Sequence, residues 1–180
     1  MTVEHKNIVE AQLHECKGAS TAGAGAILQA DGAGSADWIQ KHGLWCYRIN
    51  PISFTAGAWA DLDWDGTLLS NGITRSGATL TIARDGHYIV SYGMIGPSPA
   101  KAEIRVLKNS SELDGSARGL EASSSVQSLP LNATFGAELL AGDTLKVQLY
   151  VHTPSSGSFG YISGGVANVK GVAQFYVYNL

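Results

Sequence analysis

The 180-residue chain predicts an all-β fold, a two-sheet sandwich of jelly-roll type preceded by an extended, Gly/Ala-rich N-terminal arm. Three observations predict it. From Leu44 onward, short runs rich in Val, Ile, Tyr and Thr recur at regular spacing between Gly, Pro and Asp signals. No long amphipathic helical pattern interrupts them, and 22 glycines with 15% charged residues suit strands and tight turns. The stretch GASTAGAGAILQADGAGSA over 18–36 fixes few side-chain contacts and is costly to order. Residues 1–43 are therefore read as the arm and 44–180 as the sandwich, one core being the economical answer at this length.

Within the arm, Ile8, Val9 and Leu13 are too sparse to build a core. Composition alone reads 18–36 as a flexible linker. Ile27-Leu28 and Trp38-Ile39 argue instead for a strap that orders along another protein surface. Ile8, Leu13, Ile27, Leu28 and Trp38 are the expected partner-binding anchors.

In the sandwich, Trp45, Tyr47 and Ile49 alternate with Cys46 and Arg48 in a first strand that Asn50-Pro51 stops. Phe54 and Trp59 fall in a connection. Asp61-Leu62-Asp63-Trp64-Asp65-Gly66 matches the opening of a calcium loop, yet its twelfth position is Gly72, where a bidentate acid is needed. An acidic surface loop with Leu62 and Trp64 facing inward is the better reading. Residues 79–82 and 87–95 flank Asp85-Gly86, a hairpin signal, and His87-Tyr88-Ile89-Val90-Ser91-Tyr92 reads as a mid-sheet strand ended by Gly96-Pro97-Ser98-Pro99. Ile104 and Val106 share a face of the next strand, Lys108-Asn109 opens a turn, and 110–125 reads as a loop. Val126, Ser128 and Leu131 mark a further strand. Ala141-Gly142-Asp143 precedes Leu145, Val147, Leu149 and Val151, which alternate with Lys146, Gln148 and Tyr150. Phe159, Tyr161 and Ile162 make a short strand.

The closing run, 170–180, places Gln174, Tyr176 and Tyr178 on one face and Ala173, Phe175 and Val177 on the other. Both faces carry bulk. Such a strand is either central in the sandwich or covered on its second face by another copy of the chain.

The formal charge of −3, with both signs scattered, offers no basic patch for nucleic acid and no polybasic segment for a membrane surface. The N-terminal sequence lacks a signal-peptide pattern and no apolar run is long enough to span a bilayer, so synthesis in a cytoplasm is expected. Cys16 and Cys46 read as free thiols, their pairing left open. His14, Cys16, His42 and Cys46 are zinc-ligand types in two short clusters, but without diagnostic spacing or a redundant ligand. Catalytic motifs are absent: no serine elbow, phosphate-cradling loop or zinc-protease helix occurs. No cofactor and no metal site is expected.

Two resemblances add to this. His5-Lys6-Asn7-Ile8, Leu13-His14-Glu15, Lys17-Gly18, Gly25, Ala30-Asp31-Gly32-Ala33-Gly34-Ser35 and Trp38 resemble an N-terminal segment of structural proteins from tailed bacteriophages and prophages. Asp85-Gly86-His87-Tyr88-Ile89-Val90-Ser91-Tyr92, Ala141-Gly142-Asp143 and Gln174-Phe175-Tyr176-Val177-Tyr178 resemble the central strand, turn and closing strand of C1q and tumour-necrosis-factor-like trimeric jelly rolls. The second resemblance implies a homotrimer with Tyr88, Tyr92, Phe175, Tyr176 and Tyr178 at its interface. Together they imply a capsid decoration or cement protein that binds the phage major capsid protein through its arm, on the virion surface, after synthesis in the host cytoplasm. The alternative is a fibre or baseplate head that binds host-surface glycan through Trp59, Trp64 or Tyr161. An extracellular C1q-like recognition domain ranks last, since no collagen-like repeat is present.

Overall fold

Period-two alternation of apolar and polar residues builds two antiparallel sheets whose inward faces share one core. The structure, a computed structural model, describes residues 26–30, 36–50, 52–97, 101–121, 128–153, 156–159 and 173–180. It divides into two compact units, Met1–Lys41 and His42–Leu180.

In the first unit, β1 (Ala26–Ala30) and β2 (Ala36–Gln40) form an antiparallel hairpin with Ile27 opposite Ile39 and Leu28 opposite Trp38. The composition of 18–36 did not suggest these strands. Ile8 and Leu13 lie outside the described residues.

The second unit continues with β3 (Gly43–Arg48), β4 (Ile52–Thr55), β5 (Trp59–Asp61), β6 (Gly66–Asn71), β7 (Ile73–Ser76) and β8 (Thr79–Ile82). Then come β9 (Gly86–Pro97), β10 (Lys101–Lys108), β11 (Ser111–Glu112), β12 (Arg118–Glu121) and β13 (Ser128–Leu139). The last three are β14 (Thr144–Thr153), β15 (Ser156–Phe159) and β16 (Ala173–Asn179). One sheet has the order β13-β9-β16-β3-β6; the other runs β11-β10-β14-β8-β7, with β12 also on β10 and β5 on β14. A separate two-stranded ladder joins β4 to β15. No helix occurs among the described residues.

The core lies between the two large sheets. Leu44, Cys46, Tyr88, Val90, Tyr92, Phe175 and Val177 enter it from the first sheet, and Leu80, Ile82, Ile104, Val106, Leu145, Val147, Leu149 and Val151 from the second. Each such aliphatic or aromatic side chain contributes about 1.5–3 kcal/mol by leaving water. Leu62 and Trp64 add to this core from the acidic loop, as expected, and Trp64 stacks on Phe175 at 5.7 Å. The final strand is central: β16 lies between β9 and β3. Beyond it, the Leu180 amide donates to the His87 carbonyl at 2.9 Å.

Several expectations need correction. Asp85-Gly86 does not close a hairpin, because β8 pairs with β7 and β14 whereas β9 pairs with β13 and β16. The chain crosses from sheet to sheet there, and Leu80 and Ile82 meet Tyr88 and Val90 in the shared core. Phe54 and Trp59 sit in strands β4 and β5, not in a connection. The segment read as a loop contains β11 and β12, both paired to β10. Val126, Tyr161 and Ile162 lie outside the described residues. The Ala141-Gly142-Asp143 turn is as read: Gly142 takes a φ of 89°, a conformation that favours glycine.

Candidate interaction face

Because Leu44 and Cys46 face the core, their neighbours Trp45 and Tyr47 point to the other side of the sheet, the opposite of what their size suggests. Pairing register then assembles a row, Leu69 to Trp45 to Tyr176 to Ser91 to Thr134, across β6, β3, β16, β9 and β13. A flanking row runs from Gly43 to Tyr178 to Ile89 to Gly136. On the other side lies Tyr47 to Gln174 to Gly93 to Asn132. Three glycines leave the aromatic rings standing above their surroundings.

The centre of this face is ordered. Trp45 and Tyr176 stack with centroids 4.9 Å apart, and the Tyr176 hydroxyl donates to Gln174 Oε1. Burial pushes the Tyr176 phenol above its ordinary range. Trp45 Nε1 is buried without a hydrogen-bond partner. Tyr178 remains 47% exposed and Leu69 54%; a bulge between Trp45 and Cys46 pushes out Leu68 as well. At the rim, Ser91 and Thr134 share a hydrogen bond of 2.8 Å, and Asn132 and Glu138 are exposed. An apolar, aromatic centre within a polar rim is the anatomy of a protein interface.

Of the five aromatics expected at an interface, Tyr88, Tyr92 and Phe175 are instead in the chain's own core, with 0–2% of their surface exposed. The two tyrosine hydroxyls are spent internally: Tyr88 donates to the Arg84 carbonyl at 2.8 Å and Tyr92 to the Ser116 carbonyl at 2.6 Å. Alternation explains the correction, since residues one apart on β9 and β16 serve opposite faces. Tyr176 and Tyr178 lie on the outer face. Trp45, Tyr47, Ile89 and Leu69 join them there; the parity of Leu44 and Cys46 was the available signal for the first two. Ile27, Leu28 and Trp38 lie in the hairpin of the other unit.

The carboxylates of the acidic loop make structural contacts. Asp65 Oδ2 accepts the Ile49 and Asn50 amides at 2.8 Å each, and Asp61 accepts Lys146 Nζ and Gln148 Nε2 at 2.7 Å. Burial raises both carboxyls' affinity for a proton, but these hydrogen bonds outweigh it and hold both below the usual carboxylate range. Asp63 caps the Trp64 amide, while Arg75 donates to the Trp64 carbonyl at 2.9 Å. Among the described residues no group of three or more His, Cys, Asp and Glu could hold a metal ion. His14 and Cys16 lie outside them; Cys46 is a free, buried thiol. Trp64, offered above as a glycan contact, is 4% exposed and cannot serve.

No family model matches the chain, and no curated protein matches it. Solved structures do. Murine APRIL at pH 5.0 aligns with a TM-score of 0.54 at 13% identity, over 78% of this chain and 100% of that one. The pH 8.5 and pH 8.0 structures of murine APRIL give 0.54 and 0.52 at 11% and 14% identity, with the same coverage. At such identities the likeness concerns the fold, and that fold is the jelly roll of the tumour-necrosis-factor type.

Proposed function

We propose that the chain is a non-enzymatic virion structural protein, a homotrimeric jelly-roll head that binds and stabilises a phage capsid through its N-terminal arm. The observation that carries self-association is the outer face of the five-stranded sheet, where Trp45, Tyr176, Tyr178 and Leu69 gather without a charged side chain among them. Three copies closing about an axis would bury that face in an obligate, core-like contact. The attachment role rests on the phage-like residues of the arm and on its being a compact unit separate from the head. Stabilisation would follow from mass action, because a protein that binds only the assembled shell opposes its disassembly.

Light scattering after size-exclusion chromatography, on the full chain and on a chain starting at Lys41, tests both parts when each is then offered purified phage shells. Trimers in both, with shell binding only in the longer, are expected. Monomers in both overturn self-association; shell-indifferent trimers overturn the capsid role.

A further inference from the structure

The second sheet carries a different surface on its own outer side. Register sets a row across four strands: Gly119 of β12 faces Glu103 of β10, Glu103 faces Tyr150 of β14, and Tyr150 faces Trp59 of β5. Their neighbours Ala102, Ile104, Leu149 and Val151 are buried, so the row points away from the core. At Gly119, where no side chain fills the row, a cleft of about 260 Å³ opens between Lys101, Glu103 and Glu121. A β-carbon on Gly119 would meet only Glu103 Cγ, at 3.9 Å.

One wall of this cleft is held in place and its mouth is spanned by an exposed ion pair. His152 Nε2 lies 2.7 Å from Glu103 Oε1, and Lys101 Nζ is 3.5 Å from Glu121 across the mouth. The rings of His152 and Tyr150 are 4.6 Å apart, and those of Tyr150 and Trp59 5.3 Å, giving a continuous aromatic strip beside the cleft. Arg105 lies over the Trp59 ring at 3.9 Å and donates to Gln148 Oε1 at 2.9 Å, which fixes the far end.

We propose that this cleft and strip bind a neutral oligosaccharide, with one sugar ring in the cleft and its neighbour against Tyr150 and His152, the rings on the cleft side of the strip that Arg105 does not cover. The cleft is smaller than the roughly 300–1,000 Å³ of sites for drug-sized ligands, and suits a single ring. Its wall presents two carboxylate acceptors and one ammonium donor. A hydroxyl, donor and acceptor at once, satisfies both kinds; an anion meets Glu103 and Glu121, and a cation meets Lys101. The adjoining rings match the apolar face that a pyranose presents beside its hydroxyls. Glu103, already tied to His152 at 2.7 Å, loses little freedom on binding. Every group belongs to one chain and to the sheet away from the aromatic face, so the site stands or falls independently of self-association.

The test is saturation-transfer NMR on the full chain with a panel of neutral methyl glycosides and disaccharides, and an alkylamine and a carboxylate of similar size as charged controls, at millimolar concentration. Transfer to sugar protons and shifts of the Gly119, Glu103 and His152 amides are expected. Gly119→Val, strand-compatible and filling the cleft, should weaken binding at least tenfold at an unchanged melting temperature; should it destabilise the fold, Glu121→Leu at the exposed lip provides the same block. No transfer from any saccharide, binding unaffected by both variants, or response only to an amine or an anion overturns the proposal.

Discussion

Trp45 and Tyr176 lie directly opposite on β3 and β16 and stack with their planes 28° apart, on the side of the sheet that the chain's own core does not use. Stacked pairs of this kind contribute about 0.5–1.5 kcal/mol beyond their burial. The ring next to them along β16, Tyr178, is nearly half exposed.

Tyr178→Glu therefore separates assembly from folding. It should convert the proposed trimer to monomers in light scattering while the melting temperature extrapolated to low protein concentration stays within a few degrees of the parent. Retention of the oligomer would remove this face from the interface.

Tyr92→Phe should do the reverse. It leaves the oligomeric mass unchanged but strands the Ser116 carbonyl, costing about 1–3 kcal/mol in denaturant unfolding. Burial also pushes the Tyr92 phenol up to about 12. An unfolded tyrosine titrates near 10, so this residue's contribution is full below that pH and is lost as pH rises towards 12. The parent should thus lose stability across that window more steeply than the phenylalanine variant.

Asp143 gives the acid counterpart. Burial disfavours its charge, yet the Leu140 amide, Lys108 and Asn109 all donate to it and hold its carboxyl below the ordinary range. Its contribution is present above the unfolded value of about 3.9 and is lost as pH falls through the folded one. Asp143→Asn should cost about 1–3 kcal/mol at pH 7, with the gap to the parent closing in urea titrations at progressively lower pH.

Cys46 reports the integrity of the core. Burial pushes its thiol up to about 11, only partly offset by Thr67 and Arg75. In a Cys16→Ser background, labelling by an aromatic disulfide reagent at pH 8 should be slow and should follow the rate of unfolding, becoming immediate in denaturant. Fast labelling of the native protein would contradict the packing around β3.

How much of this was legible depends on whether the signal was local. Leu145, Val147, Leu149 and Val151 announce β14 because a core on one side and solvent on the other write a plain alternation. The two bulky faces of β16 were equally readable, but they left open whether the strand is central or covered by another copy; its pairing with both β3 and β9 makes it central. Asp85-Gly86 misled because turn chemistry describes four residues and says nothing of which sheet each flanking strand joins. The run Gly66-Thr67-Leu68-Leu69-Ser70-Asn71 gave no sign of β6, since the bulge breaks its alternation and leaves two leucines outside. At the candidate interface, Tyr178 and Tyr176 were found from their own strand. Leu69 and Ile89 depend on pairing register, which no single segment encodes. The same holds for the row from Gly119 to Trp59, whose members are far apart in the chain and meet only in the folded sheet.

The position of β16 between β3 and β9 has a consequence for synthesis. A ribosome delivers β3 and β9 long before residues 173–179, so until those residues emerge the two strands wait with their facing edges unpaired. The head cannot close cooperatively until that stretch clears the exit tunnel, and meanwhile the waiting edges are open to the same segment of a neighbouring nascent chain. Polysomes thus supply the circumstance in which strand exchange between copies competes with correct closure, for as long as β16 has yet to emerge.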